Sequence, residues 1–132
     1  MWISDIESAI FTRVKANGLK ELKTKFPEIF YTTDNETDAE AVFPTVYVEE
    51  LPGAEQGEDL EGTSTNALLA SFQITVSHNG NKPETRVVMD NAITTLKQLR
   101  FKIISAPIYK RSNGVWVGTA RVRRIIGAND IL

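Results

Sequence analysis

The sequence contains no cysteine. That excludes a disulfide framework, a zinc–thiolate site and a cysteine nucleophile, and it fits folding in a reducing cytoplasm. Histidine is nearly as scarce. The single His78 stands beside Asn79 and Gly80, and a histidine base needs a nucleophile and an orienting partner; it is read as a turn residue. No G-x-S-x-G, P-loop or G-x-G-x-x-G pattern occurs, so the common nucleophile elbow and phosphate cradles are missing. No apolar run approaches the ~20 residues needed to cross a bilayer. The opening MWISDIESAI lacks a basic region followed by a hydrophobic core, so no signal peptide and no membrane partner are expected. These absences point away from an enzyme, and no cofactor or metal is expected.

Positive charge is missing from one long stretch. From Asp34 to Asn66 there are ten acidic residues and no lysine or arginine, whereas Lys82 to Arg124 holds ten basic residues against Glu84 and Asp90. The net charge of −2 conceals this division. Both regions can be solvated faces. Alternatively, the acidic surface of one copy meets the basic surface of the next, and unlike surfaces that pair head to tail build a ring or a filament.

What is present is an ordinary globular composition. A chain of 132 residues is expected to form one domain over residues 1–132 and to bury roughly two-thirds of its unfolded surface. The organising stretch is PETRVVMDNAITTLKQL, Pro83 to Leu99, which reads as one helix. Asn81 just upstream is its cap and Pro83 takes its first helical position, where a missing N–H costs nothing. Met89, Ala92, Ile93, Leu96 and Leu99 form its apolar face. Strand-like Ala70–Ser77 precedes it and Phe101–Ser105 follows.

The start of the chain predicts another helix, with Ser4 and Glu7 in a capping-box pattern and Ile6, Ile10, Phe11 and Val14 as its apolar stripe. Asn17-Gly18 reads as a stop or kink, Leu19–Lys25 as a further turn or two, and Phe26-Pro27 as the end. Lysines 15, 20, 23 and 25 read as solvated helix surface. Ile29–Thr32 is a short strand and residues 34–41 a polar loop. Thr45–Leu51 is a strand with Val46 and Val48 opposite Tyr47, ended by Pro52-Gly53. Residues 52–66 then form a mobile acidic hairpin arm or loop. Leu68–Ser77 alternates, with Leu68, Ala70, Phe72, Ile74 and Val76 on one side. Beyond Pro107, Asn113-Gly114 marks a hairpin leading into Val115–Ile126. Trp116, Gly118, Ala120, Val122, Arg124 and Ile126 share one face of that strand; Val117, Thr119, Arg121 and Arg123 share the other. The fold class is therefore α+β: a mostly antiparallel sheet of 4–5 strands with two main helices packed on it, in the order α-β-β-β-α-β-β.

Two charged clusters are candidates for chemistry. Glu55, Glu58, Asp59 and Glu61 lack the ligand spacing of a calcium loop and read as a solvated acidic loop. Arg121, Arg123 and Arg124 could hold phosphates, with Tyr109 or Trp116 stacking bases. The negative net charge and the missing aromatic RNP-like pattern weigh against that, and an acidic neighbour explains the arginines at least as well.

Several segments also match a known pattern: LKTKFPEIFYTTD after the first helix, FPTVYVEEL, SFQITVSHNGNKPETRVVMDNAITTLKQLRFK, APIYK and the closing ARVRRII. Over nearly the whole chain these resemble the tail terminator (tail completion) proteins of long-tailed bacteriophages, especially those of Gram-positive hosts. The resemblance implies a small virion protein, made in the host bacterial cytoplasm, that forms a hexameric ring at the head-proximal end of the tail tube. Such a ring stops tube polymerisation and joins tail to head. The implied partners are other copies of the chain, the major tail tube protein and a head-completion or neck protein, with DNA passing through unbound. Arg121 and Arg123 match arginines of the family's final strand, and the family has no catalytic residues to carry over. On this reading Arg121, Arg123, Arg124, Glu49 and Glu50 are expected at a subunit or partner interface. Glu55, Glu58, Asp59 and Glu61 are expected to face the lumen or a neighbour. Another neck adaptor ring and a nucleic-acid-binding α+β module remain as alternatives.

Overall fold

Alternation along the strands and 3.6-residue spacing along the helices leave each element with one apolar side, and a two-layer packing buries those sides together. The computed structural model describes residues 5–34, 42–58 and 65–127, with 54–58, 65 and 66 described by backbone alone. The elements are α1 (Ile6–Leu22), β1 (Phe30–Thr32), β2 (Thr45–Glu58), β3 (Thr65–His78), α2 (Lys82–Gln98), β4 (Lys102–Ser112) and β5 (Val115–Gly127). The five strands form one sheet in the order β1-β2-β3-β5-β4. Every pairing is antiparallel except β1 with β2. The α+β class and its element order are thus as the sequence predicts. β3 and β4 run parallel to each other, joined through α2, and β5 is inserted antiparallel between them.

The core gathers one face of the sheet against both helices. Val46 and Val48 of β2, Phe72, Ile74 and Val76 of β3, and Ala120 and Val122 of β5 meet Ile10 and Val14 of α1 and Val88, Met89 and Leu96 of α2. Phe72 is fully buried and meets Phe101 edge to face at 5.7 Å; burial of such a ring is worth about 2 kcal/mol. The helices are tied to one another by Asn17, whose amide donates to the Thr95 hydroxyl at 2.6 Å.

α2 begins as its sequence dictates: the Asn81 side chain accepts from the Glu84 N–H at 2.9 Å, and proline occupies the first turn. At the other helix the reading needs correction. α1 runs without a break through Gly18 to Leu22. Gly18 is not a stop; its missing side chain makes room for the Tyr31 ring. Asp5 takes the N-cap position without a side-chain hydrogen bond, and Ser4 of the expected capping box lies outside the described residues.

Two strand boundaries also move. β2 does not end at Pro52-Gly53 but continues to Glu58, after a register shift between Leu51 and Ala54, and β3 pairs with it as far as Thr65. The described part of the expected hairpin arm at 52–66 is a two-stranded ladder, with Glu55 opposite Leu68 and Glu58 opposite Thr65. Backbone pairing needs no apolar side chains, which is why a polar sequence conceals it. Asp59 and Glu61 lie outside the described residues. Pro107 lies inside β4. β4 passes through it beside a register shift between Ser105 and Ile108, at an edge of the sheet, where a missing N–H is tolerated. The Asn113-Gly114 turn is as predicted, with both residues at positive φ (52° and 78°).

Candidate functional site

Because both helices lie on one face of the sheet, no described element covers the other face, and strand register decides what stands on it. One row crosses it as Glu49 on β2, Gln73 on β3, Arg121 on β5 and Ser105 on β4. A second runs Leu51, Ser71, Arg123, Lys102. The acid stands on the β2 side and the bases on the β5–β4 side. Within the first row the Arg121 Nε–H donates to the Gln73 side-chain carbonyl at 2.9 Å, so this guanidinium is held against the sheet while staying exposed. Ile108 and Ile125 share the face and are 61% and 58% exposed. A shallow depression of about 350 Å³ lies among Ile108, Thr119 and Arg121. The face is polar with isolated aliphatic patches.

The predicted interface residues divide between the two sides. Arg121, Arg123 and Glu49 are on the uncovered face. Arg124 and Glu50 are on the helix-bearing face, since they pair with Ala70 and Phe72, whose side chains are buried under the helices. Arg124 is half-buried, and its guanidinium donates to the Leu99 carbonyl at 3.0 Å, at the end of α2. Partial burial pushes the Glu50 carboxyl above its ordinary range, and the nearby charge of Glu7 pushes it further in the same direction. Of the acidic arm, Glu55 and Glu58 belong to the β2 backbone ladder.

The Glu50 shift fixes the sign of a pH effect. A carboxyl that holds its proton more tightly when folded gives its full stabilisation in acid and loses it as pH rises past the folded value. Glu50→Gln is therefore expected to melt at a higher temperature than the parent at neutral pH. The difference should vanish below the ordinary value of 4.5, where both side chains are neutral. Thermal unfolding at both pH values checks this, and a variant that melts lower at neutral pH contradicts it.

His78 is not a turn residue. It is the last residue of β3, buried and 7% exposed, with its ring set edge-on to Phe26 at 5.6 Å. Its Nε2 lies 3.5 Å from a Glu84 carboxylate oxygen. Gly80 supplies the space, since a side chain there would strike both groups. Among the described residues no group of three or more His, Asp or Glu is placed to hold a metal ion. No helix among the described residues is long and apolar enough to cross a membrane.

The sequence reading missed a basic groove at the end of α2. Leu69, Arg100, Lys102, Arg123, Arg124 and Ile125 line a concavity of about 450 Å³. β4 begins opposite Arg123, so beyond that point this side of β5 has no pairing strand among the described residues. Arg123 and Arg124, on opposite faces, can both reach the groove around that edge. Arg100 enters it from an unusual backbone. The Phe101 N–H bonds the Leu96 carbonyl at 3.0 Å and the Arg100 N–H bonds the Lys97 carbonyl at 2.9 Å, the hydrogen bonding of a Schellman cap. The cap places Arg100 at φ 69°, a position usually given to glycine because a side chain there costs roughly 1 kcal/mol. The available signal was an arginine standing where α2 would be expected to end in glycine. No protein-family model matches the chain, and no characterised protein matches its sequence.

Proposed function

We propose that the chain is a non-enzymatic virion assembly protein, a tail terminator whose copies associate head to tail in a ring. The ring caps the head-proximal end of a phage tail tube, ends its growth and offers the surface to which the head is joined. The observation that carries the reading is the uncovered sheet face, with Glu49 toward one edge and Arg121, Arg123 and Lys102 toward the other. Separated unlike charges on one surface favour a heterologous contact, which closes into a ring when the rotation between copies allows it. The resemblance of FPTVYVEEL, the long SFQITV…LRFK stretch and ARVRRII to tail terminators supplies the tube, the neck protein and the virion as setting.

A second reading, a nucleic-acid-binding module, is favoured by one observation, the gathering of four cationic side chains at the groove. One pair of measurements separates them. Purified protein is mixed with tail tubes made from the major tail protein, and separately with labelled duplex DNA at moderate salt. The terminator reading predicts co-sedimentation with the tubes, caps at one end by negative stain, and no retained DNA. Retained DNA without tube binding favours the module.

A further inference from the structure

We propose that the groove at the end of α2 is a carboxylate receptor for a second copy of this chain. Its occupant is the acidic part of the β2–β3 hairpin, represented by Glu55 and Glu58. The proposal rests on the ring reading and names the contact that would close the ring.

Four observations carry it. Among the described residues lining the concavity, Arg100, Lys102, Arg123 and Arg124 are cationic and none is acidic. Gathering Arg100, Lys102 and Arg123 in one groove is unfavourable unless an anion joins them. Arg100 holds a left-handed backbone, φ 69°, where glycine would be easier. Retaining a strained residue for its side chain is the mark of a site that uses that side chain. Arg124 is anchored to the Leu99 carbonyl, which fixes part of the receptor before a partner arrives and lowers the ordering cost of binding. Finally, the chain carries its own complement. Residues 34–66 hold ten acids and no base. The hairpin also continues to Glu58↔Thr65, past the last β3–β5 pair at Ala67↔Gly127, so its distal part is a two-stranded ribbon with no third strand among the described residues. Arginine suits carboxylates because its fork bonds both oxygens. Phosphate could meet the same cations, but a net charge of −2 works against the approach of a polyanion, and the carboxylate partner is always at hand.

The test is a charge exchange in the full chain, read as mass in solution at low salt. One variant carries Arg100→Glu and Lys102→Glu; the other carries Glu55→Lys and Glu58→Lys. The wild type is expected to associate, each variant alone to stay monomeric, and their equimolar mixture to associate again, because each reversed surface then finds an opposite one. Arg100→Gly adds a readout that does not depend on tolerance of a new charge. It should raise the melting temperature by relieving the backbone, yet weaken association by about tenfold. The proposal is overturned by variants that associate like the wild type, by a mixture that fails to recover, by a wild type that stays monomeric at low salt, or by an Arg100→Gly protein that associates normally. It is also overturned if labelled duplex DNA binds the wild type and is lost with Arg100→Glu/Lys102→Glu, which would make the groove a phosphate site. Failure of the ring reading looks different: copies still pair through the groove but ignore tail tubes. Groove-reversed protein that caps tubes normally would contradict the groove alone.

Discussion

Gly18→Ala is expected to destabilise the protein by roughly 3 kcal/mol, although alanine is the better helix former. On an exposed helix face the exchange would gain about 1 kcal/mol. Here Gly18 is buried in α1 against Tyr31, and a methyl group would coincide with the phenol hydroxyl and stand 3.1 Å from ring atom Cε1. The ring has little room to yield. Tyr31 is 4% exposed, its hydroxyl has no hydrogen-bond partner among the described residues, and burial pushes its pKa up to about 12. The substitution must therefore displace α1 from the sheet or expel the ring, and a displaced buried aromatic side chain loses about 2 kcal/mol or more of transfer energy. Urea denaturation measures the effect. An unchanged or higher midpoint would mean that α1 does not pack on β1 as described.

Arg121→Glu combined with Arg123→Glu is expected to abolish self-association at low salt while leaving the monomer folded. Both side chains are exposed. The one described bond lost is that from Arg121 to Gln73, a contact open to water and worth at most about 1 kcal/mol. The assembly has more to lose. Reversal turns the basic side of the uncovered face acidic, so two surfaces of the same sign would have to meet, which costs several kcal/mol across an interface. The comparison is made by light scattering at low salt, with circular dichroism as the control on folding. A ring of unchanged size would remove these arginines from the interface.

Where the sequence could be read and where it could not follows from which interactions are local. The cap of α2 was legible because Asn81 and Pro83 act within one turn, and the turn at Asn113-Gly114 because positive φ is a local demand. The faces of β3 and β5 followed from alternation alone, including Arg121 and Arg123 opposite Arg124. What eluded the sequence depends on distant partners. Gly18 looks like a helix stop until Tyr31 is placed against it. The continuation of β2 past Pro52-Gly53 is held by backbone hydrogen bonds between polar strands, and β4 carries Pro107 because it is an edge. His78 reads as part of its turn until Phe26 closes over it. The basic groove is the extreme case: Leu69, the neighbouring Arg100 and Lys102, and Arg123 come from three separate stretches of the chain and meet only when α2 returns it to the sheet edge.

The central claim is that copies of this chain meet through unlike charged surfaces and close into a ring. The most direct measurement is the mass of the purified protein by light scattering across concentration and salt. The account predicts a closed assembly of about six copies at low salt that dissociates as salt rises, because exposed charges more than ~10 Å apart are screened at 0.1 M. A monomer at every concentration and every salt would contradict it.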